Sequence, residues 1–428
     1  MTIVRFTNCR VCENGKLVRE KDIVFDDASG KILDAQHEFF NCLHAPEMII
    51  DMQNRIIAPG FMELQINGGD HGFDYSVYED DESYREGVLG CRRQLLGFGV
   101  TSFCPTVVSG TAKLYSHVLS HLRPSFGSPA EEGADILGAH VEGPFISRQK
   151  SGCHPLENFR EPVDGFNSLE NMYGSENLRG GEDGTIKIVT GAPELSRMEE
   201  IIHECARRNI VYSIGHSTSG ISEAEAAVRA GAKCVTHLFN AMPPMHHRDP
   251  GIIGLIGSTE SLPRPYYGII CDNIHIHHSS VKLAYRAHPK GAILVSDAMG
   301  FVGCENGLYD WRNGMRVQKR GERLVLEGTD TIAGSAIGLD QCVRNLVEWT
   351  AADLPDAVAC VTSHPSRLLG LEKRKGFLHA GCDADFAILD DSGYVLQTWK
   401  AGKKVHETQA KQSSEKSLTN GSRHEFVD

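Results

Sequence analysis

The chain has little cysteine clustering: 13 cysteines are spread over its 428 residues, and only Cys9 and Cys12 fall at CxxC spacing. An odd, scattered set argues against a disulfide framework and for a reducing compartment. No uninterrupted apolar run is long enough to span a bilayer, so no membrane partner is expected. Residues 1–11 lack a basic start followed by an apolar stretch, so no signal peptide is expected, and the cytoplasm is the expected location. Positive charge is also short. Lys and Arg number 43 against 56 Asp and Glu, a formal net charge of -13. That balance argues against general binding to nucleic acid or anionic membrane. It leaves room for an anionic substrate, because a few local cations suffice to hold one phosphate. There is no tandem repeat.

What is present suits a large barrel with a smaller appendage. Apolar residues make up 41% and charged residues 23%, enough for a substantial core under an ordinary surface. Short alternating segments with turn residues between them occur near both ends, at Ile3–Phe6 and Asp22–Phe25, then Phe386–Leu389, Tyr394–Thr398 and Lys404–His406. They predict one small sheet domain built from both termini. Between them, apolar runs alternate with helical patterns. Eight candidate strands start with Phe61–Leu64, Val100–Cys104, Ile136–Val141 and Ile186–Thr190. Val211–Ile214, Cys234–Thr236, Gly268–Cys271 and Ala292–Ser296 complete the set. Met198, Ile201, Ile202 and Cys205 have helical spacing, and Ser196 with Glu199 and Ser222 with Glu225 read as capping boxes. Eight β/α units imply a parallel sheet closed on itself. The fold class expected is therefore α/β: a (β/α)8 TIM-type barrel over residues 58–376, with a small β-sandwich from residues 1–57 and 377–406. The polar segment 407–428 reads as a disordered tail. A doubly wound open sheet would show the same alternation.

The residues that end the strands carry the chemistry. Glu142, His216, His237, Asp272 with His275, and Asp297 each follow a different apolar run. In a β/α barrel all those ends open onto one face. Taken singly, each has a plainer reading: a loop histidine, a capping carboxylate, a turn aspartate. Together, one carboxylate and two imidazoles match a divalent cation with an open coordination position, where a water would become acidic. Asp297 then reads as the general base that takes the water's proton and hands it to a leaving amine. His154, in the loop after the third strand, is a candidate to bind substrate or polarise a carbonyl. The loop His246-His247-Arg248-Asp249-Pro250-Gly251 is rich in cations and suits an anion such as phosphate.

Seven strings in this order give a specific resemblance: HVEGPF (140–145), IGHS (214–217), THLFNAM (236–242), HRDPG (247–251), CDNIH (271–275), SDAMG (296–300) and TIAGS (331–335). With APGFMELQ (58–65) and GCDADFAILD (381–390) at the flanks, the chain resembles the N-acetylglucosamine-6-phosphate deacetylases of the amidohydrolase superfamily. The resemblance implies hydrolysis of the N-acetyl group of N-acetyl-D-glucosamine 6-phosphate to D-glucosamine 6-phosphate and acetate. It implies Glu142, His216 and His237 as ligands of one divalent metal, with zinc favoured over iron, cobalt or manganese. It makes Asp297 the acid/base, and His154 and His275 substrate contacts. Cys153, Asn240, Ala241, Asp272, Asn273, Ile274 and the Ile332-Ala333-Gly334 backbone would complete the sugar-phosphate site. Arg248 would reach the phosphate from a partner subunit, which implies a homodimer. Where many amidohydrolases have His-x-His after the first strand, this chain has Gln65 and Asn67, which argues for one metal rather than two. Cys153 and Asn273 replace the Ala and Gly frequent in the family. Two other readings compete: a D-aminoacylase or cyclic-amide hydrolase, and a non-catalytic assembly protein.

Overall fold

The computed structural model describes residues 2–42, 44–181, 184–258, 262–311 and 314–408. Eight parallel strands form the barrel: β1 (Phe61–Ile66), β2 (Val100–Val108), β3 (Ala139–Glu142), β4 (Ile186–Gly191), β5 (Val211–Ile214), β6 (Cys234–Val235), β7 (Tyr266–Ile270) and β8 (Ala292–Val295). Each pairs in parallel with the next from β1 to β8. A single bridge, Ile66 with Ala298, joins the two ends. Nearly every strand residue is buried, because helices cover the outside of a parallel sheet and side chains fill its interior.

The sequence placed the eight barrel strands, and the structure refines their bounds. The third run is interrupted. Asp135–Ile136 pairs with β2 separately from β3, because Gly138 takes φ +121° between them. The helix with the spacing Met198, Ile201, Ile202, Cys205 forms as Met198–Arg207 and buries those four side chains. Neither capping box forms as read. The first helix begins after Arg197, which is left-handed and makes no side-chain cap. The second begins two residues early, after Gly220, whose N–H donates to Glu223 Oε2 at 3.1 Å. Asp249 Oδ1 accepts from Ile221 N at 2.9 Å in the same turn, so the cation-rich loop is tied to this helix start.

The termini build two sheets. One runs Lys31–Ile32, Ile23–Asp26, Ile3–Thr7, Met48–Asp51. The other runs Lys403–Glu407, Val395–Lys400, Phe386–Leu389, Ile56–Pro59, Arg10–Glu13, Lys16–Arg19. Phe6 and Phe25 of the first meet Phe386 and Trp399 of the second, with ring centroids 5.0–6.2 Å apart. This is sandwich packing over one apolar core. Residues 409–428, most of the expected tail, lie outside the described residues.

One element has no counterpart in the sequence reading. After β8 the chain makes a four-stranded antiparallel sheet, Gly307–Asp310, Arg316–Arg320, Arg323–Leu326 and Ile332–Ser335. Its last strand returns to the barrel mouth, where Met299 N donates to Ser335 O at 3.0 Å.

Candidate active site

The C-terminal strand ends bring three side chains to one point. Glu142 is the last residue of β3, and His216 and His237 each lie two residues past β5 and β6. His216 Nε2 is 2.9 Å from Glu142 Oε1, His237 Nε2 is 3.0 Å from the same oxygen, and the two nitrogens are 3.1 Å apart. All three residues are at most 4% exposed. Two imidazole nitrogens aimed at each other and at one carboxylate oxygen form a triangle with edges near 3 Å. A tetrahedral ion held at about 2.0–2.1 Å needs edges of about 3.3 Å, so this donor set fits one small divalent cation. His216 Nδ1 lies 2.7 Å from Lys150 O, a hydrogen bond of the kind that would fix the ring's tautomer if His216 held a metal.

Burial alone would push the Glu142 carboxyl up. Hydrogen bonds and charge from His216 and His237 outweigh it and hold the group well below the usual carboxylate range. Asp297, two residues past β8, goes the other way. Burial, then the Glu142 charge, raise it, while His237, His275 and Asn67 oppose. The two carboxyls are thus pushed apart, Glu142 toward the ionised form and Asp297 toward the protonated one. His216, His237 and Asp297 all take left-handed backbone, at φ +49°, +28° and +47°. Such non-glycine conformations cost about 1–3 kcal/mol each and persist where the surroundings over-determine them.

A cavity of about 220 Å³ opens over this triangle. Glu142, Cys153, His154, His216, His237, Asn240, Ala241, His275, Asp297, Ile332, Ala333 and Gly334 line it, with Asn67, Val108, Gly152 and Met299. Of the residues singled out in the sequence, four lie elsewhere. Asp272 is buried behind His275, its Oδ2 2.6 Å from His275 Nδ1 and its Oδ1 accepting from Ile274 N and His275 N at 2.9 Å. Asn273 and Ile274 form the turn outside the cavity. Arg248 is exposed on its loop, 3.0 Å from His247 Nε2. No Lys or Arg is among the described residues that line the cavity. His154 Nδ1 lies 2.8 Å from Ser109 Oγ, and the Cys153 thiol donates to Ile332 O at 3.1 Å. Cys153 therefore ties the His154 loop to the inserted sheet.

Two residues judged only as poor ligands turn out to be donors. Gln65 Nε2 donates to Glu142 Oε2 at 3.2 Å, and Asn67 Nδ2 to Asp297 Oδ1 at 2.8 Å. The signal was in their alternation on β1, which sends residues 63, 65 and 67 to the same side.

An eight-stranded barrel with carboxylates and imidazoles gathered at its strand ends is the architecture of amide-cleaving barrel hydrolases. Comparison with known proteins narrows this class. The amidohydrolase family model matches residues 56–405. The N-acetylglucosamine-6-phosphate deacetylase of Bos taurus is 42% identical over 407 residues, covering 94% of this chain and 95% of its own. That of Homo sapiens is 41% identical over 412 residues, covering 95% and 97%. The Thermotoga maritima deacetylase crystal structure superposes with a TM-score of 0.77 at 25% identity, covering 94% of this chain and 100% of that one. A point mutant of the Mycobacterium smegmatis deacetylase, solved in complex with N-acetyl-D-glucosamine-6-phosphate, gives 0.76 at 25% identity, covering 94% and 99%. The chain belongs to the amidohydrolase family. The relatives it matches along nearly their whole length are N-acetylglucosamine-6-phosphate deacetylases.

Proposed function

We propose that this enzyme hydrolyses the N-acetyl group of N-acetyl-D-glucosamine 6-phosphate, giving D-glucosamine 6-phosphate and acetate. One observation carries the reading: Glu142, His216 and His237 converge within about 3 Å beside Asp297, in a cavity large enough for a monosaccharide. All four groups are in place, which argues against a non-catalytic assembly role. The names of the relatives favour the sugar phosphate over a D-amino acid or cyclic amide.

In this reading Glu142, His216 and His237 would hold one divalent cation, with zinc preferred, although iron, cobalt or manganese would accept the same one oxygen and two nitrogens. When bound, the cation polarises the amide carbonyl and acidifies water. Asp297 takes the proton from the attacking water. The bond from Asn67 occupies Oδ1, leaving Oδ2 for that transfer. Asp297 then delivers the proton to the departing nitrogen, because an amide anion leaves too poorly without one. His154, steadied by Ser109, and His275, steadied by Asp272, border the reacting carbonyl and stabilise its developing negative charge. Cys153, Asn240, Ala241 and the Ile332-Ala333-Gly334 backbone hold the sugar, with Asn273 and Ile274 shaping the turn that presents His275.

The substrate brings a phosphate, yet the described lining offers no Lys or Arg, while Arg248 sits exposed on a loop outside. Both facts support a homodimer in which Arg248 reaches the partner's site. All 13 cysteines are free thiols, in keeping with a cytoplasmic enzyme. Residues 1–57 with 377–406 and residues 58–376 act as the two structural units. Acetate release measured on N-acetylglucosamine 6-phosphate and on N-acetylglucosamine, with and without chelator, tests the proposal. Chelator-sensitive release from the phosphorylated sugar is expected; no release from it would overturn the reading.

A further inference from the structure

The barrel closes between β1 and β8 with very little ladder. At the rim, Asp297 N donates to Gln65 O at 3.0 Å and Asn67 N to Ala298 O at 2.8 Å. Below that, a side chain takes over from the backbone. Glu63, 1% exposed on β1, accepts from Gln65 N through Oε1 and from Ser296 N through Oε2, both at 3.0 Å. A carboxyl group inside a barrel core is costly unless it is hydrogen-bonded, and burial pushes Glu63 up to about 8 against the bonds from Ser296 and Gln65. An aliphatic residue would fill the space more cheaply, but it would leave two buried N–H groups orphaned.

The two amides it holds belong to residues with work to do. The Gln65 side chain grips Glu142 Oε2. Ser296 directly precedes Asp297, whose left-handed φ of +47° must be enforced by its neighbours. We propose that Glu63 is a positioning residue, a clamp across the barrel seam that sets the carboxylate of Glu142, through Gln65, and that of Asp297, through Ser296, in one register. The inference rests on the roles given above to Glu142 and Asp297, and goes beyond them by naming what fixes their separation.

Glu63→Gln keeps the shape but turns one acceptor into a donor facing an N–H. Glu63→Asp keeps the carboxyl group but shortens the reach, so that one amide is held and not both. In the metal-loaded full chain, Glu63→Gln is expected to lower kcat about 10- to 100-fold, the scale of a small misplacement of catalytic groups. KM should stay within about threefold and metal content should be unchanged. Glu63→Asp should fall between this variant and wild type. If Glu63→Gln does not fold, Glu63→Asp decides alone: reduced kcat at constant KM supports the clamp, and wild-type kcat overturns it. A metal-loaded Glu63→Gln turning over at the wild-type rate also overturns it, as does a variant that loses only thermal stability. A wild-type chain that released no acetate would instead overturn the function itself, so the two failures are distinct.

Discussion

Two histidine nitrogens 3.1 Å apart, each near 3.0 Å from one carboxylate oxygen, are poor company without a cation between them. Only one of the two contacts to that oxygen can be an ordinary hydrogen bond at its best geometry, and the facing nitrogens compete. This frustration is relieved when all three become ligands. Replacing His237 with Ala is therefore expected to strip the metal, read as loss of stoichiometric metal by mass spectrometry. Full metal content in that variant would refute the ligand assignment. Asp297 makes the opposite prediction. It lies outside the triangle, so Asp297→Asn should keep its metal while kcat falls by about 10²–10⁴-fold. Equal metal and equal turnover to wild type would remove Asp297 from the chemistry.

At the scale of elements, the strand ends were legible and the inserted sheet was not. Glu142, His216, His237 and Asp297 each follow an apolar run, and barrel geometry sends all such ends to one face. Nothing in residues 307–335 has that period. Its strands are short, half-exposed and charged, as in Arg316–Arg320, so a periodicity reading passes over them. Only the likeness of TIAGS to a family string pointed to the strand Ile332–Ser335. Helix starts were misplaced by one or two residues because the chain capped itself with backbone and a distant Asp249, not with the nearest Ser. Gln65 and Asn67 were read by what they cannot do, bind metal, and not by what amides do well, donate. The inserted strand offers a sharp test. Gly334 has φ +144°, and a Cβ there would lie 2.4 Å from Met299 Cγ. Gly334→Ala should push the strand off the cavity and raise KM about tenfold, a loss of about 1.4 kcal/mol in binding; kinetics at the wild-type KM would show that the strand does not touch substrate. The Arg248 loop offers another. Arg248→Ala should weaken the phosphorylated sugar by at least about tenfold, the worth of a hydrogen bond to a charged group, and leave N-acetylglucosamine unaffected. Equal losses for both sugars in paired steady-state assays would refute phosphate recognition.

Across the whole molecule, the sandwich and the barrel are joined by a buried charge cluster. Lys375 Nζ lies 2.7 Å from Asp135 at the barrel's lower rim, 2.7 Å from Asp383 and 2.6 Å from Asp385, which lead into a sandwich strand. Lys400 Nζ adds a contact to Asp135 at 3.1 Å. Three clustered carboxylates could resemble a cation site, but the ammonium groups already serve as the cation. Burial works to raise the Asp135 carboxyl, and the charges of Lys375 and Lys400 overcome it and bring it to about 2. A group depressed on folding stabilises the native state above its ordinary pKa and loses that contribution as pH falls through the folded value. The window here runs from about pH 4 down to about pH 2. Lys375→Met leaves three buried acids short of a counter-charge and should cost about 3–5 kcal/mol at neutral pH. It should also flatten the acid limb, because Asp135 would no longer be held low. Urea unfolding of both proteins at neutral pH, with melting temperatures followed from pH 5 toward pH 2, makes the comparison. Parallel acid limbs in the two would mean that the cluster is not what ties the sandwich to the barrel.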